Sequence, residues 1–312
     1  MDIIFAHERK ASAFHLIVTF VLLTLSSCSL KKTAVNTMAD VFSEGEQVYL
    51  SDEDPELIGA ALPFNLKTLE TLLASNPNHQ GLLLSAAASF SLYAYGFVEP
   101  EAEQIQDEDF DRAEAIRRRA ARLYLRAYHY GLRGLEVTHP GISKRLPREP
   151  ELGAAPLKTD DVPLAVWTAA ALGGAISSSK DDPEATADIA VVGALLHRAL
   201  ELDEDYDDGA IHGFLLTYEA GRVGGSREIM RRHYERALEL SRGRRLSIYL
   251  SWAEGVSVNE QNRAEFNELL DKVLSFDVDS YPSGRLLNIL AQRRARWLKQ
   301  RIDELFLEGE MT

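Results

Sequence analysis

Few residues in this chain combine the type and spacing that chemistry requires. The most distinctive is Cys28, the single cysteine among 312 residues. Without a second thiol an internal disulfide is impossible, and no cluster of ligating residues near it in sequence points to a metal. The eight histidines, His7, His15, His79, His129, His139, His197, His212 and His233, show neither HxH nor HExxH spacing. No metal or cofactor is therefore expected. The run from Asp203 to Gly209, DEDYDDG, invites comparison with a calcium loop, in which alternating carboxylates ring the ion. Counted from Asp203, however, its sixth position is Asp208 instead of glycine and its twelfth is Phe214 instead of glutamate. A turn between helices, capped by Asp203, is the better reading. Ser226, in GGSRE, lacks the second glycine and the preceding strand of a nucleophile elbow. With no phosphate-cradling loop either, the chain offers no candidate catalytic residue and reads as a non-enzyme.

Cys28 does have a chemistry of its own. Arg9 and Lys10 precede an apolar segment from Ala11 to Leu25 that is polar only at Ser12, His15, Thr19 and Thr24. A membrane-spanning helix needs about 20 apolar residues, so this segment is too short and fits the apolar region of an export signal. Its end, Leu25-Ser26-Ser27-Cys28, resembles the bacterial lipobox, whose cysteine thiol receives a diacylglyceryl group before cleavage makes it the new N-terminus. Asp2 and Glu8 are unusual ahead of such a segment and suggest a start codon further along. The expected organisation is a lipoprotein signal at 1–27, a lipidated tether at 28–50 and an all-helical domain at 51–312. Two or more acyl chains anchor a protein stably. A chain without further thiols also suits an oxidising periplasm. Ser29, standing where inner-membrane retention favours aspartate, leans the anchor toward the outer membrane.

The formal charge of −14 disfavours nucleic acid and anionic lipid surfaces as partners. Two arginine-rich stretches, Arg117 to Arg126 and Arg293 to Arg301, fall on helical patterns and read as solvated faces paired with acidic neighbours. Hydrophobic residues make up 46% of the chain, enough for a substantial core.

From Pro55 onward apolar residues recur at spacings of three and four, as in the stripe Leu66, Leu69, Leu72 and Leu73. No strand is expected. Loops are expected at Glu99–Asp109, Thr138–Val162, Lys180–Pro183, Gly221–Gly225 and Tyr281–Pro282. HRALELD (197–203), ERALELS (235–241) and DKVLSFD (271–277) align, with Ala199, Ala237 and Val273 at one position. Ala120, Tyr124 and Ala127 follow the same small–large–small spacing. This is the pattern of the second helix of a tetratricopeptide repeat. The fold class expected is thus all-α, with tetratricopeptide-like helix pairs forming a compact bundle or array. A helix over about 284–307 reads as its terminal cap. Phe90, Tyr93 and Phe97 share one helix face, with Tyr95 on another. Tyr93, Phe97, Tyr124, Tyr128 and Trp167 are the candidates to border a cavity for a ligand or partner; otherwise they are core.

Several segments together carry a family resemblance. They are the lipobox, DEDPELIGAALPFNLKTLETLLASNPNHQGLLLSAAASFSLYAYGFVEPEAE, RRAARLYLRAYHYGLRGLE, VPLAVWTAAALGGAISSSKDD, RALELDEDYDDGAIHGFL and FNELLDKVLSFD. The chain resembles the T component (TatT) of tripartite ATP-independent periplasmic, or TRAP, transporters from about Asp52 to Phe306. Leu172 departs from it, where tryptophan is expected. The resemblance implies a periplasm-facing lipoprotein without catalysis that associates with the transporter's substrate-binding protein. It also implies an ability to form homotrimers and a channel through each helical body. An apolar or organic-acid ligand is the corresponding expectation. The competing reading is a generic envelope scaffold for protein assembly, without a ligand.

Overall fold

Asp54 and Pro55 begin the first long helix. The Asp54 carboxylate accepts a hydrogen bond from the Leu57 amide at 3.0 Å, and Pro55 occupies the first turn, where its missing N–H costs nothing. In this computed structural model residues 45–179 and 187–307 are described, together with Thr37 and Val41. Cys28, the apolar segment before it and the loop expected at Lys180–Pro183 lie outside the described residues.

The described residues form helices joined by turns and contain no strand. A short α1 (Glu46–Leu50) leads into α2 (Pro55–Ser75), whose stripe Leu66, Leu69, Leu72 and Leu73 is buried as expected. His79 caps α3 (Gln80–Tyr93), its Nδ1 accepting from the Leu82 amide at 3.2 Å. The chain does not then enter a loop. One π-helical turn (Ala94–Val98) passes directly into α4 (Glu99–Ile105), so that most of the acidic stretch expected to be irregular is helix. Pro100 stands in the first turn of α4 and is tolerated there. Asp109 caps α5 (Phe110–Thr138), accepting from the Arg112 amide at 3.0 Å.

The proline-rich insert after α5 is not an open loop either. It forms α6 (Ile142–Arg145), α7 (Pro150–Ala154) and a 3-10 turn (Thr159–Asp161). These are pinned by Asp161, only 5% exposed. Its carboxylate accepts from the Thr138 hydroxyl at 3.2 Å and the Lys158 amide at 2.9 Å, and lies 2.7 Å from His139 Nε2. A carboxylate taken out of water survives only with such partners. Leu146, Ala154 and Leu157 of the insert are in the core.

Six further helices follow, α8 (Val162–Ser177), α9 (Ile189–Leu202), α10 (Tyr206–Gly221), α11 (Arg227–Ser241), α12 (Leu246–Trp252) and α13 (Arg263–Ser275). A second π-turn, Ala253–Ser257, extends α12. Ser226 has a structural job: its hydroxyl caps α11 by accepting from the Ile229 amide at 3.4 Å. Asp203 caps the turn as the C-cap of α9. The acidic run beyond it turns through left-handed backbone at Asp207, Asp208 and Gly209. Asp208 is held by the Tyr281 hydroxyl at 2.7 Å and by Arg244 at 3.2 Å, and Asp207 pairs with Arg245. Arg244 and Arg245 thus balance the charge of these carboxylates.

Successive helices pack as neighbours, α3 with α5, α5 with α8, α8 with α9, α9 with α10 and α10 with α11. Glycines permit the tightest approach, because a Cβ on Gly174 of α8 would stand 2.5 Å from the Tyr124 ring of α5. The helix expected as a terminal cap is broken at Arg301 into α14 (Arg285–Gln300) and α15 (Ile302–Leu305). It is not left without a partner. Besides α12 and α13, α14 contacts α1 and α2. Arg293 pairs with Glu56 at 2.7 Å, Arg285 donates to the Ser51 carbonyl at 3.2 Å and Arg301 pairs with Asp107. The two ends of the helical domain are thus joined.

Candidate functional site

Both π-turns lie where the ends meet. A π-turn inserts an extra residue into a helix and shifts the faces beyond it, and such turns are frequent at functional sites. The first places Tyr95, and further on Glu103, beside Arg294 of α14. The second places Glu254 toward the same helix. Arg294 of α14 joins them. Its Nη1 donates to Glu103, while Nε and Nη2 donate to Glu254 at 3.3 and 2.6 Å. Trp297 covers the guanidinium face, with the carbon centre 4.5 Å from the ring centroid. Gly96, between Tyr95 and Phe97, lets the first π-turn reach α14, where a Cβ would lie 2.9 Å from Leu290.

Glu99 is held at both oxygens, by the Tyr124 hydroxyl at 2.8 Å and the Ser178 hydroxyl at 2.7 Å. Burial, then the neighbouring Glu99, pushes the Tyr124 hydroxyl far above its ordinary range. Burial also raises Glu103, with Glu254 and Glu99 adding to the shift and Arg294 opposing it. Burial alone would lower Arg294, but Glu254 and Glu103 hold it more firmly protonated than usual.

Tyr95 is the informative residue. Burial pushes its hydroxyl up to about 12, with Glu254 the next contributor, yet 49% of the residue is accessible. The side chains of Glu103, Glu254 and Arg294 likewise retain 32%, 34% and 26% of their accessibility.

The residues singled out in sequence divide differently. Tyr93 and Phe97 stack on each other at 6.2 Å and are half-buried. Arg119 lies over Tyr93 at 5.5 Å and donates to its hydroxyl. Trp167 is also half-buried. Tyr124 and Tyr128 are in the core, 4% and 8% exposed. Burial raises the Tyr128 hydroxyl to about 12, with a smaller push from Asp188. Tyr95, set on another face by straight helical spacing, was missed as a candidate. So were Glu103, Glu254 and Arg294, which sequence places far apart in an acidic chain.

A second polar cluster joins α10 to α11. His212 Nδ1 lies 2.8 Å from His233 Nδ1, and His212 Nε2 lies 3.1 Å from Glu204. Among the described residues no group of three or more His, Cys, Asp or Glu could hold a metal ion.

The family model of the TRAP transporter T-component matches residues 51–306, which takes in both π-turns and all of α14. The chain belongs to the TRAP transporter T-component family. A protein of Treponema pallidum (strain Nichols), described only as "Uncharacterized protein", is 28% identical over 307 residues, covering 92% of this chain and 95% of its own. Membership in the T-component family makes this an accessory component of a TRAP transporter, associated with that system in the cell envelope.

Proposed function

We propose that this T-component is a periplasm-facing lipoprotein, anchored through Cys28, that binds the TRAP substrate-binding protein and an apolar or organic-acid solute. Family membership over 51–306 carries the proposal. The meeting of the two π-turns with α14, through Glu103, Glu254 and Arg294, supports its solute-handling half. The LSSC ending of the apolar segment supports the anchor, with 28–50 as its tether, and the outer membrane remains favoured through Ser29. Tyr93, Phe97 and Trp167 are half-buried and remain the candidates to border the solute. Tyr124 and Tyr128 would form the wall behind it, Tyr124 through its hold on Glu99.

The helix pairs are read as tetratricopeptide-like. The matched small positions Ala127, Ala199, Ala237 and Val273 are all fully buried, as close packing of paired helices requires. Assembly into homotrimers belongs to the same reading.

The test is affinity capture of the tagged full-length chain from membranes that also express the neighbouring TRAP substrate-binding protein. Co-purification is expected, weakening as salt rises, because a chain of charge −14 meets a basic patch through screened attraction. Two species that sediment independently at about micromolar concentration, with and without solute, would overturn it.

A further inference from the structure

We propose that the exposed apolar face of α2 rests on the lipid bilayer that holds the anchor, and so fixes how the helical domain sits on the membrane. This rests on the reading above that Cys28 carries the lipid.

α2 buries one side through Ile58, Leu62, Leu66 and Leu69 and shows another to solvent. On that side Leu57, Ala60, Pro63 and Phe64 are exposed, at the spacings of three and four that share a helix face. Phe64 is 78% exposed and Leu57 56%, although a surface helix ordinarily turns its large apolar side chains toward the core. From Leu57 to Ala74 the only exposed charge on the helix is Lys67. Helices that lie in a membrane interface combine such apolar residues with a cation for the headgroup phosphates. The hydroxyls on this part of the helix already have acceptors. Thr68 donates to the Phe64 carbonyl at 3.0 Å and Thr71 to the Lys67 carbonyl at 2.8 Å, so neither needs water as an acceptor on entering the interface.

The place of this face in the chain points to its occupant. Residues 29–45 separate Cys28 from α1, a lead of at most about 60 Å even when fully extended. Val48 on α1 is exposed, and so is Val41 ahead of it. Exposed apolar side chains thus begin on the segment that leads from the lipid and continue on the first long helix. A chain held at the surface by acyl groups needs only a weak further contact, because tethering raises the effective concentration of the second. Four apolar residues on one helix fall well short of the roughly 1,600 Å² that a specific protein–protein interface buries, which disfavours a second copy. Glu53 and Glu56 flank the face at its start, Glu56 held by Arg293 at 2.7 Å. With the formal charge of −14 they oppose anionic headgroups, so neutral lipid is the better surface.

The acylated protein in nanodiscs of phosphatidylcholine or phosphatidylglycerol tests the proposal. Cys28 is the only native cysteine and its thiol is blocked by the lipid, so one introduced cysteine carries a polarity-sensitive dye alone. Leu57→Cys and Phe64→Cys are the test positions; Leu125→Cys and Val223→Cys, exposed elsewhere, are the controls. All four side chains reach solvent, so none of these changes opens the core. Emission at the test positions should move to shorter wavelength, and spin-labelled lipid should quench it at least about twofold more than at the controls. Quenching should be stronger on phosphatidylcholine than on phosphatidylglycerol, with the difference fading as salt rises. Absence of quenching at the test positions, or equal quenching at all four, would overturn the proposal. So would a shift with Phe64→Cys in soluble Cys28→Ser protein that grows with protein concentration, because a second copy would then be the occupant. If the dye labels Cys28 of the unaltered protein, the thiol carries no lipid, and the anchor reading fails and takes this proposal with it. An acylated Cys28 with unquenched dye at both test positions removes the bilayer contact alone.

Discussion

His212 and His233 meet Nδ1 to Nδ1 at 2.8 Å across the interface of α10 and α11. One imidazole must donate and the other accept, so the contact cannot survive with both rings protonated. Burial, the largest cause in each, lowers both. His233 is brought to about 4, with His212 and His197 adding to the effect and Arg232 also opposing its charge. His212 is lowered despite its bond to Glu204. Glu204 itself is pulled down to about 2, first by its hydrogen bond to Arg236 and then by that to His212.

Between the ordinary histidine value of 6.5 and about 4, the unfolded chain therefore binds more protons than the folded one. Stability contributed by this pair is complete above 6.5, declines as pH falls and levels off below about 4. Thermal unfolding should occur at lower temperature at about pH 5 than at about pH 7. His233→Gln should flatten the dependence over that interval, because carboxylates titrate mainly below it. An unchanged slope in the variant would remove the pair from the account.

Arg294 is the one guanidinium shared by Glu103 and Glu254. Arg294→Ala should cost about 2 kcal/mol in urea unfolding, less than a fully buried pair because all three side chains keep some solvent. The double variant Arg294→Leu with Glu103→Gln should recover part of the loss, since no uncompensated carboxylate is left at Glu103. Equal stability of Arg294→Ala and the parent would mean that the bridge joins the ends without holding them.

Gly174→Ala should lose about 1–3 kcal/mol, because the new Cβ would press on the buried Tyr124 ring. Gly131→Ala should behave alike against the Thr168 side chain. Gly221→Ala is the control: no atom stands within 4 Å of its added carbon, and its stability should stay within about 0.5 kcal/mol of the parent. Similar melting of all three would show that α5 and α8 adapt to the added carbon.

Cys28→Ser should move the protein from the membrane fraction to the soluble fraction. Mass spectrometry of the unaltered protein should find an acylated peptide beginning at Cys28. A peptide containing Met1 in mature protein would count against cleavage there.

Much of this molecule follows from local chemistry. The helical class is legible because spacings of three and four recur, and Asp54, Asp109, Ser226 and Asn262 stand where helix starts need caps. The buried positions of the aligned segments were legible too, since Ala199, Ala237 and Val273 lie at one point of a repeated pattern. The pairing of arginine-rich faces with acidic neighbours came out as composition suggested, in Arg117 with Glu114 and Arg126 with Glu70. Family membership was readable because its motifs are spread along most of the chain.

Other features were decided only by tertiary packing. A π-turn has no distinct local signal, so the reorientation at Ala94–Val98 that brought Tyr95 beside Glu254 and Arg294 could not be counted from helical spacing. Glu99–Ile105 looked like an acidic loop because charge and Pro100 are punctuation in isolation, but α5 and the π-turn packed against it supply the contacts that keep it helical. Nothing local links Glu103 with Glu254, or either with Arg294. Those residues become one site only when the last long helix returns to the first, and in a chain with 48 acidic residues the carboxylates that matter are the ones this closure removes from water.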